Sequence, residues 1–140
     1  MADERLAARV RRVIHASPAE VFRAWTDPEA MAKWMSPAGT ASATVNLRVG
    51  GEFRLVMADE HLRIEHMGVY REIDPPRRLV FTWRSEYTGM RDTLVTVDLA
   101  ERGERETDLL LVHELDTPEQ AASHEEGWRQ LVSRLESAVA

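Results

Sequence analysis

The chain has 140 residues, of which 44% are hydrophobic and 30% charged, a balance typical of a soluble globular domain. It contains no cysteine, which excludes a disulfide scaffold, a thiolate zinc site, an iron–sulfur cluster and a cysteine nucleophile. The formal net charge of −6 would repel a phosphate backbone, so a nucleic acid is not an expected partner. We expect one domain that spans residues 1–140.

The sequence offers no candidate for a membrane span or a secretion signal. The longest uncharged stretch, residues 34–47, is rich in Ser, Thr, Gly and Pro and therefore predicts a loop within it. The N-terminus carries mixed charges with no apolar run behind them, unlike a signal peptide. We therefore expect a cytoplasmic protein that does not insert into a membrane.

The N-terminal third predicts one strand followed by two short helices. Apolar residues separated by arginines over residues 8–14 indicate a half-buried strand. Ser17, Pro18 and Glu20 match the start of a helix with a capping box. Asp27 and Pro28 repeat this chemistry, so a second short helix is expected before a loop over residues 36–42.

The middle of the chain predicts an antiparallel meander. Apolar and polar residues alternate in short segments that turn-length loops separate. Gly50 and Gly51 predict a tight turn rather than a phosphate-binding loop, because no Lys-Ser/Thr pair and no helix follow them. The predicted strands are residues 43–47, 52–58, 62–73, 78–85, 93–99 and 107–115.

The C-terminal segment predicts a long amphipathic helix. Thr117 to Gln120 match a capping box, and apolar residues then recur at three- and four-residue steps to about Val139. This helix is the element able to cover the inner face of a bent sheet. The sequence therefore predicts an α+β fold in which a curved antiparallel sheet of about seven strands wraps round the C-terminal helix.

Tryptophan is the most prominent residue type, with four in the chain against five Phe and Tyr together. Trp25 and Trp34 lie on the two short helices, Trp83 on a predicted strand and Trp128 on the apolar stripe of the long helix. Each side chain could fill a solid core or line a cavity, and both interpretations remain open.

Three of the five histidines are predicted to point inward. Alternation places His66 and His113 on the inner faces of their strands, and His124 lies one turn before Trp128. This trio could bind a polar group of a ligand or move a proton, or it could simply be hydrogen-bonded within the core. No His pair has zinc-protease spacing and no Ser lies in a nucleophile elbow, so neither a metal, a cofactor nor a catalytic nucleophile is expected.

Short motifs along nearly the whole chain resemble the bacterial relatives of the activator of the heat-shock protein 90 ATPase. Each motif is weak alone, but their order is specific. The order of elements also resembles the helix-grip fold of START domains and the birch pollen allergen. The motifs are SPAEVF at 17–22, AWTDP at 24–28, KW at 33–34, GGEFR at 50–54, GVYREI at 68–73, RLVFTW at 78–83 and GWRQL at 127–131.

The resemblance implies a container whose sheet and long helix enclose a hydrophobic cavity. We therefore expect the protein to bind a small hydrophobic or aromatic molecule in that cavity, without turnover. The residues expected to line it are Trp34, Phe53, Met57, His66, Tyr70, Trp83, His113, His124 and Trp128.

Two alternatives belong to other functional classes. The first is an enzyme of the same fold that does acid–base chemistry on a cyclic or aromatic substrate, with His66 or His113 as proton carrier. The second is a stress-linked protein that contacts a chaperone. A chaperone partner is not expected, because in the eukaryotic activator a separate N-terminal domain binds the chaperone. A homodimer through an exposed edge strand stays open.

Overall fold

The computed structural model of the chain describes residues 4–36 and 40–139. Within these ranges, seven antiparallel strands form one sheet in the order β1-β7-β6-β5-β4-β3-β2. The strands are β1 (Ala7–Ile14), β2 (Thr40–Val45), β3 (Glu52–Ala58), β4 (Arg63–Asp74), β5 (Arg78–Trp83), β6 (Thr93–Gly103) and β7 (Glu106–Glu114). The helices are α1 (Pro18–Thr26), α2 (Pro28–Trp34) and α3 (Pro118–Val139), with single 3-10 turns at Glu4–Leu6 and Glu86–Thr88.

This architecture confirms the predicted α+β fold, including the two short helices after the first strand. The largest difference is in β2, which runs from Thr40 to Val45 rather than over residues 43–47. Its bounds follow from pairing with β3, in which Thr40 faces Ala58 and Val45 faces Phe53. The predicted loop over residues 36–42 is correspondingly shorter, and its residues 37–39 lie outside the described part of the chain.

Asp27 sets the junction between α1 and α2. Its backbone N–H donates to the Arg23 carbonyl at the end of α1, and its carboxylate accepts from the Glu29 N–H at the start of α2. Pro28 has no N–H with which to extend α1, so the chain begins a new helix. The Trp34 indole then donates to the Ala24 carbonyl at 2.9 Å and ties α2 back to α1.

Helix α3 packs on the inner face of the sheet. Its buried stripe includes Trp128, Leu131 and Leu135, as the spacing of its apolar residues predicts. The capping box is only half formed: the Thr117 hydroxyl accepts from the Gln120 N–H, but the Gln120 side chain accepts from Asp116, one residue earlier than the pattern requires.

The sheet changes its pairing in the middle of β4. Residues 63–69 of β4 pair with β3 in an unbroken register, whereas the β5 ladder resumes only at Tyr70 and contains a bulge between Tyr70 and Glu72. The Val69 N–H donates to the Thr82 hydroxyl at 2.8 Å, so a side chain takes the place of a ladder carbonyl. This irregular segment lies directly beside Gly68.

Gly68 is required by close packing at this point. A Cβ atom there would overlap the Thr82 carbonyl oxygen and the ring of Phe53. Phe53 is directly opposite Gly68 in the β3–β4 pair, and its ring occupies the space that a side chain would fill. The absent side chain therefore lets the Phe53 ring pack directly against the backbone at Gly68.

Gly68→Ala should lower the free energy of unfolding by at least about 2 kcal/mol, because the overlap involves backbone and ring atoms that cannot easily move. Urea denaturation measures this change. Gly127→Ala is the matched control: Gly127 lies in α3 with no atom near its added Cβ, so the same substitution should stabilise by up to about 1 kcal/mol. Equal effects at the two positions would contradict the packing argument.

Candidate functional site

An aromatic cluster fills the space between the sheet, α1 and α3, and Trp83 lies at its centre. The ring centroids of His66 and Trp128 are 4.6 Å and 5.0 Å from that of Trp83. Phe53 and Phe81 follow at 6.1 Å and 6.2 Å. Aromatic contacts of this kind add stability beyond their buried area, so the cluster forms a rigid wall.

A small void lies beside this wall, beneath α2. Its volume is about 10 Å³, which is room for about one water molecule, so it is far smaller than the ligand-holding cavity that the resemblance implied. Its lining is almost entirely apolar or aromatic and comes from α1, the α2 region, β3, β4 and β5. The lining residues are Trp25, Met31, Met35, Phe53, Tyr70, Phe81 and Trp83.

Buried polar atoms around the void differ in whether they are paired. The indole N–H groups of Trp25 and Trp83 are buried and have no hydrogen-bond partner among the described residues, and the same holds for Nδ1 of His66. By contrast, the Trp34 and Trp128 indoles both donate to protein acceptors. Unpaired buried polar groups are rare, because each costs about 1–3 kcal/mol.

His113 is fully paired. The Thr93 hydroxyl lies 2.6 Å from the Trp83 carbonyl, to which it must donate, and 2.7 Å from Nε2 of His113. Nε2 therefore carries the imidazole proton and donates it to Thr93, while Nδ1 accepts from the Trp128 indole at 3.0 Å. Both ring nitrogens are in use, so His113 is held as a neutral scaffold residue.

Burial lowers the pKa of all three inward histidines. It lowers that of His113 well below the ordinary value, and the nearby charge of His124 acts in the same direction. Burial also lowers the pKa of His66, to about 4. A hydrogen bond with the Leu55 backbone opposes this decrease, and the charge of His124 adds to it. For His124, burial lowers the pKa although its ring donates to the Gln120 carbonyl.

The predicted lining residues are distributed over several environments. Phe53, Tyr70 and Trp83 line the void. Trp34, His113 and Trp128 are buried in the core around it, and His66 stacks on Trp83. Met57 and His124 are only partly buried.

The void also has lining residues that were not predicted, namely Met31, Met35 and Phe81, and it includes Trp25, for which the sequence left both core and cavity open. A signal for them was present in the sequence. Met31 and Met35 are four residues apart and therefore share a face, and Phe81 alternates with Trp83 along β5.

The outer face of strands β2 to β5 carries a larger groove of about 970 Å³. It is open to solvent and contains the ion pairs Arg54–Glu65 and Arg84–Asp92. Because the groove is open and lined by charged side chains, it lacks the apolar enclosure that a hydrophobic ligand requires.

Carboxylates are absent from the buried polar residues of the described chain, which are Thr, Ser and His. Within the same residues, no three His, Asp or Glu side chains converge as metal ligands would. Proton transfer by His66 or His113 would therefore lack the buried Asp or Glu that usually orients such a histidine.

Residues 15–140 match the family described as "Activator of Hsp90 ATPase homolog 1-like protein". The chain belongs to this family. No curated protein matches it. None of the helices described here has the length and hydropathy to cross a membrane.

Solved structures with the same fold cover nearly the whole chain. Protein NE0264 from Nitrosomonas europaea is 26% identical over 98% of this chain and 96% of its own, with a TM-score of 0.81. Protein CV1439 from Chromobacterium violaceum is 30% identical over 96% of both chains, with a TM-score of 0.77. CalU16 from Micromonospora echinospora is 27% identical over 96% of this chain and 76% of its own, with a TM-score of 0.75.

Thr93→Val should lower the free energy of unfolding by about 2–4 kcal/mol, because it leaves the His113 Nε2–H buried without an acceptor. Thr93→Ser keeps the hydroxyl and should cost only about 1 kcal/mol for the lost methyl group. Urea denaturation of both variants measures the difference. Equal losses would show that packing, not the hydrogen bond, holds Thr93 in place.

Acid should destabilise the fold from about pH 6.5 downward. The unfolded chain binds a proton at each histidine near its ordinary pKa of 6.5, whereas the folded chain keeps the inward imidazoles neutral. Protonation therefore favours unfolding, and stability should fall by up to about 1.4 kcal/mol per pH unit for each neutral imidazole.

His66→Phe should reduce this slope between about pH 6 and pH 4.5, because one buried imidazole is removed while the stacking on Trp83 is kept. His61→Gln, at an exposed position, is the control. The measurement is urea denaturation across that pH range. A slope unchanged by His66→Phe would contradict the assignment of acid sensitivity to the buried ring.

Proposed function

We propose that the protein binds a small hydrophobic or aromatic molecule in its interior, between α2 and the inner face of the sheet, without transforming it. The observation that carries this proposal is the apolar void beneath α2, which is bounded by rigid aromatic rings on the sheet side and by Met31 and Met35 on the other. Such a lining, with few polar groups, is what hydrophobic ligand sites have in common.

A void of about 10 Å³ cannot hold such a ligand, so binding requires the α2 side to move. Methionine suits this role, since its unbranched side chain has three rotatable bonds and adapts to irregular shapes. The sheet side, by contrast, is built from large rings that pack on one another. We infer that Met31 and Met35 give way while Phe53, Phe81 and Trp83 stay in place.

The contact between α2 and strand β2 is the one that can loosen when a ligand enters. Strand β2 is an edge strand, paired only with β3 among the described strands, and α2 packs against it. Its inward side chains Ala41, Ala43 and Val45 are small and only partly buried. Moving the two-turn helix α2 away from the small side chains of β2 would lose less apolar contact than moving α3 away from the sheet.

Neither alternative has a comparable observation in its favour. Both nitrogens of His113 are occupied by Thr93 and Trp128, and the described interior contains no carboxylate to orient His66. Contact with a chaperone rests on the family name alone, and a pull-down with the bacterial chaperone tests it.

Met35→Ala should strengthen binding of a neutral aromatic probe, N-phenylnaphthylamine, by several-fold, because the space that the ligand needs is already open. The same variant should lower the stability of the unliganded protein by about 2–5 kcal/mol. Probe fluorescence measures the Kd, and urea denaturation measures the stability.

Met67→Ala is the matched control, since Met67 lies in the groove on the outer face of β4 rather than at the void. It should leave the Kd of the probe unchanged. If the probe binds neither the native protein nor Met35→Ala, or if Met67→Ala strengthens binding equally, an interior site beneath α2 is wrong.

A further inference from the structure

The four tryptophans divide into two pairs by the state of their indole N–H groups. Trp34 donates to the Ala24 carbonyl and Trp128 to Nδ1 of His113. Trp25 and Trp83 donate to no described residue, although their exposed fractions are only 2% and 3%. Both unpaired indoles belong to the lining of the void, whereas neither paired indole does.

An indole N–H can only donate a hydrogen bond, so whatever pairs with these groups must be an acceptor. A pure hydrocarbon in the site would leave both donors unpaired. A ligand that brings oxygen acceptors would instead gain the hydrogen bonds that no described residue supplies. The unpaired indole N–H groups thus favour an apolar ligand that carries a hydrogen-bond acceptor.

The charge of the interior decides which kind of acceptor fits. The buried polar residues of the described chain are Thr, Ser and His, with no Arg or Lys among them. The titratable group in the lining is Tyr70, and burial raises the pKa of its phenol, so it is neutral at neutral pH. The buried histidines His66 and His113 are also neutral, because burial lowers their pKa values. A carboxylate would therefore enter an apolar site without a countercharge, at a large desolvation cost.

His66 contacts the ring of Trp83 but is not itself a lining residue of the void. Its ring stacks on Trp83 at 4.6 Å between centroids, and its Nδ1 has no partner among the described residues. A neutral imidazole nitrogen either donates or accepts, according to its tautomer. His66 therefore places a neutral ring, not a charge, against Trp83.

We propose that the interior site selects uncharged apolar molecules that carry carbonyl oxygens, such as aromatic ketones, esters or lactones, and that the indole N–H groups of Trp25 and Trp83 donate to those oxygens. This inference rests on the proposed function and specifies its ligand class. It also assigns Trp25 and Trp83 a binding role that Trp34 and Trp128 do not share.

Three probes of nearly equal shape test the proposal. Acetylnaphthalene, isopropenylnaphthalene and naphthoate, substituted at the same ring position, differ mainly in presenting a carbonyl, a carbon–carbon double bond or a carboxylate. Isothermal titration calorimetry at neutral pH gives their Kd values. The ketone should bind about tenfold more tightly than the alkene, the equivalent of one net hydrogen bond, and the carboxylate more weakly than the ketone.

Proton–nitrogen correlation NMR reports the donors directly. Native protein with labelled tryptophan should give four indole signals, assigned with single Trp→Phe variants. Acetylnaphthalene should shift the Trp83 or Trp25 signal downfield relative to the complex with isopropenylnaphthalene. The Trp34 and Trp128 signals should agree between the two complexes, since their donors are already paired.

Trp83→Phe and Trp25→Phe should reduce the preference for ketone over alkene, and Trp34→Phe should not. The preference is a ratio within one variant, so it does not depend on how much each substitution destabilises the fold.

The outcomes separate the two proposals. Equal binding of ketone and alkene, with no downfield shift, overturns the carbonyl class but leaves hydrophobic binding intact. Failure of both neutral probes to bind the native protein overturns the proposed function itself. If naphthoate binds most tightly of the three probes, the inference that the site disfavours a carboxylate is wrong.

Discussion

The contact between the Phe53 ring and Gly68 is the constraint on which the interior depends. It needs a residue without a side chain at the point where β4 changes its pairing, because the Thr82 carbonyl and the ring both occupy the space of a Cβ atom. With Phe53 seated there, its ring meets Tyr70 at 5.4 Å and Phe81 at 5.4 Å. The aromatic wall of the void thus follows from one glycine in the bend of the sheet.

The scaffold around His113 and the site beside the void differ in whether their buried polar groups are hydrogen-bonded. Around His113 every donor has an acceptor: Thr93, the Trp83 carbonyl and the Trp128 indole form one closed chain of hydrogen bonds that joins β5, β6, β7 and α3. A closed network of this kind specifies one arrangement of the core. On the α2 side, the indole N–H groups of Trp25 and Trp83 have no acceptor within residues 4–36 and 40–139. Trp83 belongs to both regions, through its carbonyl in one and its indole in the other.

Local chemistry made much of the fold predictable from the sequence. Ser17 and Asp27 have side chains that cap helices in any context, and alternation along β3 to β5 shows which side chains face inward. The limits of β2 were not predictable, because its Ser and Ala residues carry no strand signal and its ends depend on pairing with β3. Hydrogen bonds across elements were equally hidden: spacing places His113 inward, but only the folded chain brings Thr93 and Trp128 to its two nitrogens.

The α3 side of the interior is therefore fixed, whereas the α2 side can adapt. Helix α3 is fixed to the first strand and the residue after it by Glu136, which accepts from Arg12 and from the backbone of His15. Helix α2 is tied to α1 by the Trp34 indole bond and rests on the small inward side chains of an edge strand. Displacing α2 would break none of the bonds around His113, because none of their atoms belongs to α2. Displacing α2 therefore costs apolar contacts and at most the Trp34 indole bond, and the apolar contacts are those that an apolar ligand restores.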